Sequence, residues 1–189
     1  MIAEKLRKAV LQAATQGKLT QQLLEDGNAK DLLKQIEEKR KELSEEGVIR
    51  PQKPLPEITE AEIPYGIPDN WIWVRLGDLC SLITDGTHKT PKYVKNGIPF
   101  LSIQNISSGR FDFSTMKFIT EEEHRELTRR TRPELNDILL CRIGTLGKPI
   151  VVNLDFEFSI FVSLALIKPL LPQINTYLVH YLSSPGMDQ

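Results

Sequence analysis

Apolar residues open the chain at helical spacing. Ile2, Leu6, Ala9, Val10, Ala13 and Ala14 fall on one face, and Lys5, Arg7, Lys8 and Gln12 fall between them. This predicts a helix over 2–16, ended by Gly17 as a C′ glycine. A second helix is predicted after Asn28, a good N-cap, with Asp31 in the first turn where a negative charge suits the helix dipole. Its apolar positions are Ala29, Leu32, Leu33, Ile36 and Leu43, and Gly47 stops it. The charges from Glu37 to Glu42 read as a solvated face. Two short helices with such narrow stripes cannot bury themselves. They are expected to pack on each other or on a neighbour through Leu6, Val10, Leu32, Ile36 and Leu43.

The pattern then changes. Pro51, Pro54, Pro56, Pro64 and Pro68 exclude a helix and predict an extended, semi-rigid linker over 48–70. The division is therefore a helical segment 1–47, a linker 48–70 and a domain 71–189. Trp71-Ile-Trp-Val-Arg-Leu76 alternates like a strand, and Leu79–Thr84 is a second short apolar segment. A polar loop, Thr87 to Gly97, leads to a predicted strand over Ile98–Ile106 ending in Gln104 and Asn105. A weaker strand is expected over Arg110–Ile119. Thr120-Glu-Glu-Glu123 is a capping box that opens a short helix. Phe158–Ile167 reads as one core strand, and Ile174–Leu182 as a final helix. Short strands, long polar loops and few helices predict an α+β domain with a mixed, mainly antiparallel curved sheet.

The stretch with the most chemistry is Asp137–Lys148. Ile138–Ile143 has the length of one buried strand, and Gly144-Thr-Leu-Gly-Lys148 follows as a tight loop before the extended Val151-Val152. Its glycines leave backbone N–H groups uncovered, and Arg142 and Lys148 flank them with charge, a combination suited to a phosphate. A nucleotide-binding P-loop needs four residues between its glycines and a Ser or Thr after the Lys; here there are two, then Pro149. The competing reading is a glycine-rich turn with two solvated cations.

Composition narrows the function. The 189 residues are 40% hydrophobic and 26% charged, ordinary for a globular protein, and the net charge is −1. Polyanion binding would have to come from a local patch. Cys80 and Cys141 lie in apolar surroundings without metal-ligand spacing and read as reduced thiols of a cytoplasmic protein. Met1 opens directly into the first helix, and no apolar run is long enough to span a bilayer, so no membrane role is expected. His88, His124 and His180 have no partner spacing, and neither paired nuclease carboxylates nor a cofactor fingerprint is found. A binding module is favoured over a small hydrolase or nuclease, with no catalytic residue, metal or cofactor in the chain. Lys, His, Thr, Tyr, Gln and Asn in long loops are the side chains that take base edges and phosphates. Gln104 and Asn105 could equally satisfy backbone at a strand end.

Four motifs occur in order: Trp71-x-Trp-x-x-Leu-Gly-Asp78, Asp85-Gly-Thr-His-Lys-Thr-Pro91, Gly97-Ile-Pro-Phe-Leu-Ser-Ile-Gln-Asn105 and Asn136-Asp-Ile-Leu-Leu-Cys-Arg-Ile-Gly-Thr-Leu-Gly-Lys148. From Trp71 to about Ser184 the chain resembles the specificity subunit of type I restriction–modification systems. Leu6–Leu19 resembles the end of that family's helical region. The resemblance implies a non-catalytic reader of one half of a split double-stranded DNA site, whose helices dock methyltransferase subunits. S-adenosylmethionine, ATP and Mg would belong to partner subunits, and a restriction subunit would join indirectly. The DNA-facing candidates it implies are Thr87, His88, Lys89, Thr90, Lys92, Tyr93, Gln104, Asn105, Arg142, Thr145 and Lys148. A typical member has two recognition domains, whereas one is found here, and further strands and a long helix would be expected after Ser184. The expectation is thus a C-terminally truncated product, or a half-subunit that associates with a copy of itself. The alternative is a helical docking module that binds no DNA.

Overall fold

The computed structural model describes residues 2–143 and 147–185, the side chain of Leu24 excepted, and separates into two compact units. One runs to Ser81 and includes the described residues from Ser183 on; the other is Leu82–Leu182.

In the first unit both predicted helices form, α1 over Ile2–Thr15 and α2 over Ala29–Glu45. They end alike. Gly17 and Gly47 take positive φ, +67° and +72°, which glycine adopts without a Cβ penalty. Gly17 N–H then donates to the Ala14 carbonyl and Lys18 N–H to Ala13; Gly47 and Val48 repeat this on Ser44 and Leu43. These paired bonds use carbonyls that the helix itself leaves open. Asn28 caps α2 as predicted, its side chain accepting from Lys30 N–H at 2.9 Å.

The proline-rich segment is not a free linker. Apart from a 3-10 turn at Glu60–Glu62 it has no regular structure, yet it packs inside the first unit. Extended, proline-rich backbone leaves its carbonyls unspent, and Arg75 collects those of Pro56 and Glu57 at 3.1 and 3.0 Å while pairing with Glu62 at 2.6 Å. Pro68 lies so close to Gly17 that a Cβ there would sit 2.4 Å from its Cγ. The predicted strand at Trp71–Leu76 is absent for a related reason. Its aromatic side chains are anchors: Trp71 Nε1 donates to Gln22 at 2.8 Å, and the Trp73 ring meets Tyr65 edge-on at 5.0 Å. A short helix, α3 (Leu76–Leu79), follows. The division between units lies at Ser81/Leu82, not within 48–70. Arg40 of α2 closes α3 from outside, donating to the carbonyls of Gly77, Asp78 and Cys80 at 2.8–3.0 Å and to Gln52 at 2.6 Å.

Among the described residues seven strands form: β1 (Cys80–Asp85), β2 (Ile98–Leu101), β3 (Lys117–Ile119), β4 (Ile138–Cys141), β5 (Gly147–Val151), β6 (Ser159–Ile160) and β7 (Leu164–Pro169). They make a sheet in the order β1-β7-β4-β5 and a second in the order β3-β2-β6. β2 pairs antiparallel with β3, and β4 antiparallel with both β5 and β7, whereas β2 and β6 run parallel. Two helices, α4 (Glu121–Thr128) and α5 (Asn175–Leu182), complete an α+β architecture, as expected. Thr120 caps α4 through Glu123 N–H at 3.2 Å.

Several strands are shorter than the apolar runs that encode them. Phe158–Ile167 is divided between the sheets, β6 in one and β7 in the other, with a turn closed by Leu164 N–H on the Phe161 carbonyl. The run is mostly apolar, with Ser159 and Ser163 buried inside it, because the chain stays largely covered while it crosses from one sheet to the other. β2 stops at Leu101 and gives way to a 3-10 turn at Ile103–Asn105. β4 stops at Cys141, and Ile143 is exposed. In the expected strand over Arg110–Ile119, Lys117–Ile119 alone pairs. Leu101, Ile106, Leu139, Cys141, Val152, Phe158, Ile160, Leu164 and Leu166 form the core between these elements. Both cysteines are buried free thiols. Burial pushes the Cys80 thiol up to about 12 and raises that of Cys141. Among the described residues no helix is long and apolar enough to cross a membrane.

Candidate nucleic-acid interface

β1 ends at Asp85, and the next residue, Gly86, has no room for a side chain. A Cβ on Gly86 would lie 2.1 Å from the Ile160 carbonyl oxygen. The backbone on either side is pinned: Thr87 N–H donates to Ile160 at 3.0 Å, Val162 N–H to Thr87 at 2.9 Å, and the Thr131 hydroxyl to the Asp85 carbonyl at 3.0 Å. The Asp85 carboxylate is therefore fixed at the place where loop, sheet and the end of α4 converge.

Two arginines and a histidine meet on it. Arg130 Nη2 reaches Oδ1 at 2.6 Å and also the Thr84 hydroxyl at 3.2 Å. His88 Nε2 lies 3.0 Å from Oδ2, and Arg142 Nη1 donates to the same oxygen. Burial, the largest single influence on Asp85, raises its pKa, but the bonds from Arg130 and His88 and the charge of Arg142 outweigh it and hold the carboxyl below its ordinary range. The carboxylate side chain is 14% exposed, whereas those of His88, Arg130 and Arg142 are 66%, 61% and 43% exposed. The result is a covered anion with cations displayed around it. Two permanent charges stand against one, so the group carries a net positive charge at neutral pH.

Of the sequence-predicted residues, the structure thus joins His88 and Arg142 and places Thr87 beside them. Thr87 itself is half-buried, and its hydroxyl exchanges 3.2 Å bonds with the Lys89 backbone, which shapes the loop. Lys89, Thr90, Lys92 and Tyr93 project outward while Pro91 is buried beneath them. Lys117 Nζ sits 4.4 Å over the Tyr93 ring, a cation–π contact at the loop's far end. A cleft of ≈ 390 Å³ beside the cluster is lined by Thr87, His88, Glu126, Leu127, Arg130, Thr131 and Ile160.

Gln104 and Asn105 separate sharply. Asn105 is buried; its Oδ1 accepts from Ser102 N–H and its Nδ2 donates to the Asp112 carbonyl, both at 2.9 Å. The amide is engaged in holding the 3-10 turn, and its neighbour Gln104 is exposed on that turn. Lys148 is exposed at φ +52°, opposite Leu140, where Lys148 and Pro149 together face one residue of β4. Such a bulge admits a proline on an edge strand, since the ladder is already interrupted. Thr145 and Gly144 lie outside the described residues. On α1, Leu6 and Val10 are 63% and 45% exposed; on α2, Ile36 is buried and Leu32 and Leu43 are partly covered.

Sequence reasoning missed Asp85, Arg130, Thr84 and Thr131 as site residues. Asp85 opens one of the quoted motifs, and Arg130 is one of three arginines, with Arg129 and Arg132, that closely follow α4. Nothing in their spacing indicated that they meet. His124, by contrast, is a core residue: it is buried with Nδ1 2.9 Å from the Ser159 hydroxyl, and burial lowers its pKa despite Glu157 nearby.

Comparison with known proteins gives relatives of one kind. The chain is 31% identical over 155 residues to the type I restriction enzyme EcoAI specificity subunit of Escherichia coli, an alignment covering 82% of this chain and 25% of that protein. It is 38% identical over 81 residues to the EcoEI specificity subunit of the same organism, covering 43% of this chain and 14% of the relative. The chain thus spans no more than a quarter of the length of either. A crystal structure of the HsdS subunit from Thermoanaerobacter tengcongensis overlays 94% of the chain, and 39% of its own, at a TM-score of 0.45 and 19% identity. No family model matches.

Proposed function

We propose that this chain, which belongs to the specificity subunits of type I restriction enzymes and corresponds to a segment of one, reads DNA sequence through its second unit and catalyses nothing itself. The observation that carries the reading is the display of His88, Arg130 and Arg142 around a covered carboxylate, continuous with the exposed loop of Lys89, Thr90, Lys92 and Tyr93. Arginine forks suit guanine edges and phosphates, and lysines on a flexible stem suit phosphates. A chain of net charge −1 binds a polyanion only where its cations are gathered in this way. The partner is double-stranded DNA, one half of a split site. The exposed apolar stripe of α1 is suited to docking a methyltransferase subunit, with a restriction subunit joining indirectly. S-adenosylmethionine, ATP and Mg would act on those partners, in the cytoplasm. Self-association of two copies would supply the second half-site.

Within the proposed interface, Lys148 is a phosphate contact and Gln104 a base reader, with Asn105 holding the turn that presents it. Lys148→Ala should weaken binding about uniformly across sequences and reduce the salt slope by roughly 1. Gln104→Ala should cost ~1–3 kcal/mol on the preferred site and little on random DNA. Both are read by titrating the chain, assembled with methyltransferase subunits, at two salt concentrations. The opposite pattern reverses the two roles. If neither variant changes binding while the fold is intact, the DNA face lies elsewhere.

A further inference from the structure

We propose that Asp85 is a positioning residue that sets base specificity, by holding the guanidinium groups of Arg130 and Arg142 at fixed angles to a guanine edge. The inference rests on the DNA-reading function of this unit. Its basis is the division of labour within the cluster. Among the described residues, Arg142 meets the carboxylate through Nη1 and Arg130 through Nη2, so each fork keeps its other edge for a ligand. An arginine on a mobile stem attracts any phosphate, whereas one whose plane is fixed matches the paired acceptors of guanine. The anchor is itself held by its neighbours: Gly86 packs against the Ile160 backbone, and the Thr131 hydroxyl donates to the Asp85 carbonyl. Glu126 also faces the cleft beside Arg130 and His88, but it is not among the groups bonded to Asp85.

A carboxylate in a DNA-binding face carries an electrostatic penalty against phosphate. This produces a signature that a merely structural aspartate would lack. Removing the charge should strengthen non-specific binding while weakening sequence discrimination. The chain, assembled with methyltransferase subunits, is used to select DNA from a random-sequence pool, and the bound pool is sequenced. Asp85→Asn should bind unselected DNA more tightly than the unaltered chain, with a salt slope steeper by about 1. Its preference for guanine at one or more positions should fall on the order of ten- to a hundredfold. Arg142→Gln should lose the same position or positions, and Asp85→Asn in that background should lose little more, because the two act as one unit.

Retained base preference in Asp85→Asn overturns the proposal. So does a parallel fall in specific and non-specific affinity with the fold intact, or additive losses in the double variant. Should Asp85→Asn fail to fold, Arg130→Gln and Arg142→Gln decide the matter, since both side chains end at the surface; unchanged guanine preference in both overturns it. If the unaltered chain enriches no sequence at all, the DNA-reading function fails and this inference with it. Enrichment that these variants leave untouched removes this inference alone.

Discussion

The two units are held together by different means. Among the described residues, the second unit contains nearly all the buried apolar side chains, from Phe100 to Leu182, with Leu101, Ile106, Leu139, Leu164 and Leu166 fully covered. In the first unit the buried apolar residues are Ile36 and Cys80. Its order comes instead from arginine side chains that collect backbone carbonyls, Arg40 at the end of α3 and Arg75 along the proline-rich segment. Ile2, Leu6 and Val10 of α1 remain exposed. A unit that buries apolar surface gains stability in proportion to the area removed from water. One that relies on hydrogen bonds to half-exposed carbonyls gains about 1 kcal/mol from each. The second unit has the core of an independent domain; the first leaves the apolar stripe of α1 exposed.

This contrast can be broken first in the core. Leu139→Ala should destabilise the second unit by ~2–5 kcal/mol, read as a lower denaturant midpoint by far-ultraviolet circular dichroism. Leu6→Ala should change stability by less than ~0.5 kcal/mol, because its side chain is already in water. Equal effects would mean that the exposed stripe is buried in solution by another copy or by a rearrangement, and the comparison would fail.

A smaller effect tests the arginine scaffold. Arg40→Met keeps the aliphatic stem but leaves the carbonyls of Gly77, Asp78 and Cys80 without their donor. The expected cost is about 2–3 kcal/mol. Both tryptophans of the chain, Trp71 and Trp73, are in the first unit, so their fluorescence follows its unfolding. A midpoint unchanged in Arg40→Met would show that water replaces the guanidinium at no cost, and that the first unit is organised by something else.

The smallest effect sharpens the picture at Glu62. The bonds from Arg75, then those from Thr59, hold its carboxyl at about 2, below the ordinary 4.5. A folded value below the unfolded one means that the contact stabilises fully above about pH 4.5 and is lost as the pH falls toward 2. Carboxyl chemical shifts followed through that window should give a midpoint near 2. In Arg75→Gln it should return toward 4.5, short of it by the part that Thr59 supplies. No change in Arg75→Gln would sever the proposed tie between Arg75 and the proline-rich segment.

Local signals in the sequence determined the helices and their ends. Asn28, Thr120, Gly17 and Gly47 act within a few residues of themselves, so capping and positive φ could be read without knowing the rest of the chain. The α+β class and the apolar runs were legible too, because burial imposes its pattern on any segment that enters a core. Where each strand would stop was not. Phe158–Ile167 is one run in sequence and two strands in space, since apolarity records burial but not which sheet a residue joins. Trp71–Leu76 alternates like a strand, but pairing needs a partner edge, and its aromatic rings found Gln22 and Tyr65 instead. The candidate site divides along the same line. Lys89, Lys92, Arg142 and Lys148 could be chosen from charge and loop chemistry. Asp85 and Arg130, 45 residues apart, meet through the packing of β1 against the end of α4, and that long-range meeting is decided by tertiary structure, because no local preference encodes it.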